Sequence, residues 1–448
     1  MQWLTRIIAV AALVVPAAPT PAAVFQQVPT DDIWVTFMAG NPVGDPLLRV
    51  WHNSDEPYPS PNYPANAIDF YCAYSYLKWD LSSIPTGEYE LQSAKLTLRH
   101  EPAKWTPAQA QNHPLEARAL APEFSEYTWD YWDTSNPAPG PVYGEANLDN
   151  YSTTAYFDIV IDLLGGSSLG RTEADFAAAV YDAINTQTSL AVACTSSKTA
   201  DMSGGQPYKF ASKDNGGQAG PTLRLEYALK NLSISDVKKS LIPFGGLVRI
   251  ENKVVSATFE TASDTVYVCE PGRQIGIGVK LNGKASGLVP GDIVTIEGTT
   301  VLWDGTELGI EATSITKTAS GNAPKPLFLN NRHTGGSGFG KQPGVAGANG
   351  LNNIGTLVRV AGQVTATHPS FSLPWQTNAH VFWIDDGSGV FDSLADGSGA
   401  QPKGIAVVAP SEMAFPPSGF KAVTGVARCI SGPNGPARII VATSVDQP

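Results

Sequence analysis

The chain has 448 residues and a formal net charge of −12, with 16% charged residues, 43 glycines and 35 prolines. Its length exceeds one ordinary core and suggests about two to four domains, and its Gly and Pro content favours short strands and turns over long helices. Net acidity without a Lys/Arg run argues against a nucleic-acid partner and makes an anionic polysaccharide a harder one, although composition leaves room for a local basic groove.

At the start of the chain Arg6 precedes the apolar run Ile7 to Val15, and a Pro/Ala/Thr stretch ends at Ala22 and Ala23. This is the layout of a secretory signal peptide over residues 1–23, so a secreted, extracellular protein is expected. The apolar run is too short to cross a bilayer about 30 Å thick, and no later stretch approaches the roughly 18 apolar residues needed, so no membrane span is expected.

From 24 to 229 short apolar runs alternate with Pro, Gly and Asn clusters, the pattern of an antiparallel β-sandwich. In Ser93–His100 the period of two puts Ala94, Leu96 and Leu98 inward and Lys95, Thr97 and Arg99 outward. One helix is expected over Glu173–Ile184, capped by Thr172, with Phe176, Val180 and Ile184 on one face. The strand Ser189–Cys194 and an alternating strand, Pro221–Tyr227, follow.

Several landmarks of this region, taken in order, carry a resemblance: Tyr76-Leu77-Lys78-Trp79-Asp80-Leu81-Ser82-Ser83-Ile84-Pro85, Ala94–Leu98, Asp158 or Asp162 before an apolar segment, Ser212-Lys213-Asp214-Asn215 and Pro221-Thr222-Leu223. They resemble the DNRLRE domain, related to carbohydrate-binding module family 96, over roughly 180 residues. Glu126-Tyr127-Thr128-Trp129 is a compressed counterpart of the family's Glu and Thr-Trp segment. The resemblance implies a jelly-roll β-sandwich of an exported bacterial protein and a carbohydrate partner. It transfers no binding residues.

Aromatic side chains crowd this region independently of any family. Tyr74, Tyr76 and Trp79, alternating within a strand, read as core. Tyr58 and Tyr63 lie among prolines in a loop with Asn62, and Trp51 precedes it; exposed rings stack on sugar C–H faces while Asn and Asp accept hydroxyls, so Tyr58, Tyr63, Asn62 and Trp51 are the candidate ligand-binding residues.

After a polar joint near Lys230, the chain writes one pattern twice. Gly245-Gly246-Leu247-Val248-Arg249-Ile250 returns as Gly355-Thr356-Leu357-Val358-Arg359-Val360, and Ala312-Thr313-Ser314-Ile315 returns as Ala442-Thr443-Ser444-Val445. Strands are expected at 247–257, 265–269, 275–281, 292–298 and 308–315, and again at 357–367, 380–384, 404–408, 420–426 and 437–445. Five strands with Gly corners suit OB-like barrels over 233–320 and 351–448, with an immunoglobulin-like sandwich as the rival. The fold class is therefore mostly β: a jelly-roll-like β-sandwich followed by two small OB-like β-barrels. Residues 321–350 form a Gly-rich connector that Phe328, Leu329 and Phe339 are expected to anchor.

In the second repeat Asp385-Asp386-Gly387-Ser388-Gly389 reads as a tight turn or as a Ca²⁺ site, the one cofactor the sequence suggests. Of the four cysteines, Cys72 and Cys194 fall on strands of one domain and are the favoured disulfide; Cys269 and Cys429 read as buried thiols. The six histidines are scattered without metal spacing, leaving any metal ligands unassigned. The one Gly-x-Ser-x-Gly match, Gly166–Gly170, sits among antiparallel strands rather than on a parallel sheet. With no catalytic constellation, the expected function is a non-catalytic carbohydrate-binding or adhesion protein for a polysaccharide or cell-surface glycan. A structural component of a cell envelope or extracellular assembly, with protein partners, is the alternative, and a polysaccharide-degrading enzyme stands behind both.

Overall fold

The computed structural model describes residues 22–36, 44–52, 72–127, 137–197, 199, 202, 207–284, 287–391, 394 and 401–447. The expected signal peptide thus lies outside the described residues, apart from Ala22 and Ala23. The chain divides between Leu229 and Lys230 into two compact units. No described helix is long and apolar enough to cross a membrane.

The first unit contains β1 (Ala23–Gln27), β2 (Asp31–Thr36), β3 (Leu47–His52), β4 (Cys72–Asp80), β5 (Tyr89–His100), α1 (Pro107–Asn112), β6 (Leu115–Leu120), β7 (Val142–Asn147), β8 (Phe157–Asp162), α2 (Phe176–Thr186), β9 (Ser189–Ser196), β10 (Tyr208–Ala211) and β11 (Thr222–Leu229). Its strands pair antiparallel in two layers, β1-β11-β5-β8 and β2-β4-β9-β6-β7. The layers join where β7 pairs with both β6 and β8, and where β3 pairs with β4 and β10. This closure gives a jelly-roll-like sandwich and covers edges that would otherwise recruit another chain.

The period-two pattern builds the core. Ala94, Leu96 and Leu98 are fully buried beside Ile159, Ile161, Leu223 and Leu225 of their own layer, and meet Leu77, Trp79, Leu190 and Val192 of the other. Truncating such a leucine typically costs about 2–5 kcal/mol. Tyr74 and Tyr76, one strand position out of phase with Trp79, line a second cluster with Ile33, Val35 and Phe124 on the opposite face of β4.

Helix α2 begins at Phe176, later than the sequence suggests. Asp175, not Thr172, caps it by accepting the Ala178 N–H at 3.0 Å. Residues 172–174 are extended because Val142 donates to the Thr172 carbonyl and accepts from the Ala174 N–H, a pairing that competes with helix. The expected buried face, Phe176, Val180 and Ile184, is present.

The second unit opens with α3 (Ile234–Lys239), whose cap Ser233 exchanges hydrogen bonds with Asp236. Strands β12 (Leu247–Phe259), β13 (Thr265–Cys269), β14 (Gly276–Lys280), β15 (Asp292–Trp303) and β16 (Glu307–Ser320) close a barrel, with the short helix α4 (Glu260–Ser263) between the first two. The strand order is 1-2-3-5-4, with β14 and β16 parallel and β12 closing onto β15. After the two-residue β17 (Leu327–Phe328), β18 (Leu357–Leu373), β19 (Gln376–Asp385), β20 (Ile405–Val408), β21 (Phe420–Gly432) and β22 (Gly435–Asp446) repeat that order. The β20–β22 pair is parallel and β18 pairs with β21. A parallel third and fifth strand is OB topology, so the immunoglobulin-like alternative is replaced by two OB barrels.

Strands β15, β16, β18 and β21 run longer than the apolar pattern indicates, since short turns such as Asp304-Gly305-Thr306, the first two residues at positive φ, carry the ladder onward. Of the expected connector anchors, Leu329 packs against the core of the second barrel and the Phe339 ring lies under the Lys239 ammonium, whereas Phe328 is 79% exposed. Buried Gln342 adds a polar tie, accepting the Leu308 N–H at 3.0 Å and donating to the Thr306 carbonyl at 2.8 Å. Gly340 passes so close to the Lys238 carbonyl that any side chain there would collide with it.

Candidate functional site

Of the sequence-based ligand candidates, Tyr58, Asn62 and Tyr63 lie outside the described residues. Trp51 is described, half-buried on β3 immediately before that segment. It meets Trp34 of β2, ring centroids 5.8 Å apart and tilted by 48°. The Trp34 indole donates to Asp45 Oδ2 at 2.9 Å, and the Arg49 guanidinium lies over its ring at 5.1 Å. Asp45 also accepts the Leu47 N–H at 3.0 Å, so one carboxylate fixes both the turn before β3 and the plane of Trp34. Two adjacent half-exposed indoles, one of them held by polar groups, form a stacking surface with Arg49 and Asp45 as donor and acceptor at its rim.

Asp32, two residues before Trp34, shares its side of β2 and leads to a charged cluster. The buried Glu126 carboxylate accepts the Asp32 N–H at 3.1 Å and the Lys213 ammonium at 2.8 Å. Lys213 also reaches Asp214 at 3.0 Å and lies 3.9 Å from Asp32, whose other oxygen accepts the Lys213 N–H at 2.6 Å. Three carboxylates thus surround one ammonium. Burial pushes the Asp32 carboxyl up to about 7, outweighing the backbone hydrogen bond and positive charge of Lys213 that pull it down. Asp32 and Glu126 are 4% and 1% exposed, too deep to meet a sugar directly; the cluster instead ties β2, the 120–127 segment and the 212–215 turn together. Ser212 completes the tie by donating to the Asp45 carbonyl at 2.6 Å.

Tyr127, next to Glu126 in the chain, is 70% exposed, and the neighbouring Glu126 carboxylate raises its phenol above the usual range. The sequence reading missed Trp34 and Tyr127. The signal for Trp34 was a tryptophan in phase with an acid, Asp32, where a core strand would carry two apolar residues.

The disulfide expected between Cys72 and Cys194 is not formed. Cys194 faces Ser75 across β9 and β4, leaving Cys72 three residues along the strand, about 10 Å away. The odd offset also points the two thiols to opposite faces, Cys72 with Tyr74 and Cys194 with Val192, beyond the geometry of an S–S bond. Burial pushes the Cys194 thiol up to about 12.

The acidic turn of the second repeat engages its oxygens internally. Asp385 accepts the Gly387 N–H at 3.0 Å and pairs with Lys403 at 2.7 Å, and Asp386 accepts from Ser388 at 2.9 Å and Asn331 at 2.7 Å. These contacts fit the tight-turn reading. In the Gly166–Gly170 loop, the Ser167 and Ser168 hydroxyls hydrogen-bond to Glu145, a loop-stabilising arrangement.

No family model matches the chain, and no curated protein matches it in sequence.

Proposed function

We propose that this chain is an exported, non-catalytic carbohydrate-binding protein whose sandwich docks a polysaccharide or cell-surface glycan on the Trp34–Trp51 face. The observation that carries the reading is the pair of adjacent half-exposed indoles, of which Trp34 is held by Asp45 and Arg49 and rests on the sandwich core. A sugar ring gains from an aromatic platform whose ordering is already complete. The ordered DNRLRE-like landmarks point to the same ligand class, and the segment carrying Tyr58, Asn62 and Tyr63 enters from Trp51. In this reading the OB barrels serve as further binding modules or spacers.

The test is retention of the signal-peptide-free protein on a panel of insoluble polysaccharides and immobilised glycans, with and without Ca²⁺, while released sugar is assayed in the same wells. Retention without release, weakened by Trp51→Ala, is the expected result. Release of sugar would replace the reading with an enzyme. Silence across the panel would favour a structural role in an envelope or extracellular assembly.

A further inference from the structure

Within the second unit, the β15–β16 hairpin of one barrel and the β18–β19 hairpin of the other enclose a cavity of about 220 Å³. This is below the roughly 300–1,000 Å³ of pockets for drug-sized ligands, so it suits one small ring. Neither barrel contains it alone: Lys280, Trp303 and Glu307 come from the first, Trp375 and Arg428 from the second.

Arg428 is 5% exposed and rigidly placed. Its guanidinium lies 3.6 Å from the centre of the Trp375 ring and 5.5 Å from that of Tyr267. Its Nε donates to Glu307 Oε2 at 2.8 Å, and the other Glu307 oxygen accepts the Tyr267 hydroxyl at 2.8 Å. Glu307 is therefore fully occupied in orienting the arginine, while the two terminal nitrogens of Arg428 have no partner among the described residues. Lys280 likewise has none. Asp304, the other acid at the cavity, already accepts the Ser431 N–H at 2.7 Å. The walls thus offer the terminal N–H groups of an arginine already paired with Glu307 and the ammonium of Lys280, donors that no described residue takes up.

Trp303 supplies the apolar surface. The outer atoms of its six-membered ring lie against Gly278 and Gly309, where any Cβ would strike the indole, and the residue lines the cavity. The Trp303 N–H is also without a hydrogen-bond partner among the described residues.

We infer that this cavity binds a single sugar ring bearing a carboxylate, of the uronic-acid class. The carboxylate meets the fork of Arg428 and the ammonium of Lys280, a planar match that a guanidinium makes with two parallel hydrogen bonds. The C–H face of the ring lies on Trp303. A bare inorganic anion would engage these donors but leave the indole wall wet, and a neutral sugar would bring no charge to meet the Lys280 ammonium and the free fork of Arg428.

The inference is independent of the sandwich reading, and the experiment keeps the two apart. Binding of D-glucuronate, D-glucose, acetate and inorganic phosphate to the full signal-peptide-free chain is measured by calorimetry at low salt. The wild type and the Lys280→Gln, Arg428→Lys and Trp51→Ala variants are compared. Glucuronate is expected to bind in preference to the other three, about tenfold or more weakly in Lys280→Gln and Arg428→Lys, as loss of a charge-assisted hydrogen bond implies, and unchanged in Trp51→Ala. Lys280 is only half-buried, so its variant remains informative if Arg428→Lys fails to fold. Equal binding of acetate or phosphate, equal binding of glucose, no glucuronate binding up to about 50 mM, or unchanged affinity in Lys280→Gln would each overturn the assignment.

Discussion

In the sandwich, Asp32, Glu126 and Asp214 gather around the single ammonium of Lys213, whereas at the junction of the barrels Glu307 alone is held by Arg428 and the Tyr267 hydroxyl. The first arrangement carries surplus negative charge and the second is a matched pair, with Lys280 beside it and Lys238 buried on the Ile354 carbonyl at 2.8 Å. A net charge of −12 describes neither place. The comparison teaches that acidity of the whole chain sets its average field, while burial decides which local imbalances have large energies. It also separates two kinds of buried charge, one that anchors loops beside an aromatic face and one that fixes a guanidinium at a cavity.

Breaking the matched pair should have the largest effect. Glu307→Ala leaves Arg428 buried without a counter-ion and should destabilise the second unit by about 3–5 kcal/mol, whereas Glu126→Ala, which leaves Lys213 with Asp32 and Asp214, should cost less. Urea unfolding followed separately in each unit makes the comparison; equal losses would remove the distinction between surplus and matched charge. Next comes Gln342→Ala, which orphans the buried Leu308 N–H and leaves the Thr306 carbonyl only the Cys429 thiol, and should cost about 1–3 kcal/mol. A loss near zero would mean that the connector does not brace the first barrel.

A smaller effect, with a definite sign in pH, belongs to Asp32. Its folded pKa is raised from 3.8 to about 7, so the stability it contributes is complete below about pH 4 and is lost as pH rises through 7. Asp32→Asn should therefore flatten the stability profile of the sandwich over that range and leave the variant about 1–2 kcal/mol more stable than wild type at pH 8. Parallel profiles for the two proteins would show that Lys213 neutralises Asp32 in full.

Much of the barrel pair was legible in the sequence because a repeat states its pattern twice. Thr265–Cys269 occupies the strand its apolar run indicates, and the five-strand spacing in each copy folds as an OB barrel. The hairpin extensions were not legible, since polar residues such as Thr316, Lys317 and Thr318 continue β16 once the turn at Asp304-Gly305 fixes the register. In the connector Leu329 was legible as an anchor, but Phe328 was not legible as exposed, nor were the amides of Gln342 and Asn331 that answer backbone groups. At the sandwich site the difficulty was distance along the chain: Asp32 and Glu126 are 94 positions apart, Glu126 and Lys213 are 87. Trp51 was identifiable as an aromatic before a Pro- and Asn-rich loop, but its partner Trp34 becomes visible only when β2 and β3 line up along β4.

The most direct test of the sandwich as a glycan-binding face is the affinity of Trp51→Ala, beside wild type, for the polysaccharide that best retains the chain. Loss of one stacking indole should weaken binding about tenfold or more while moving the unfolding midpoint little, because Trp51 is half-exposed. Undiminished affinity in a folded Trp51→Ala protein would contradict the placement of the sugar on the Trp34–Trp51 face.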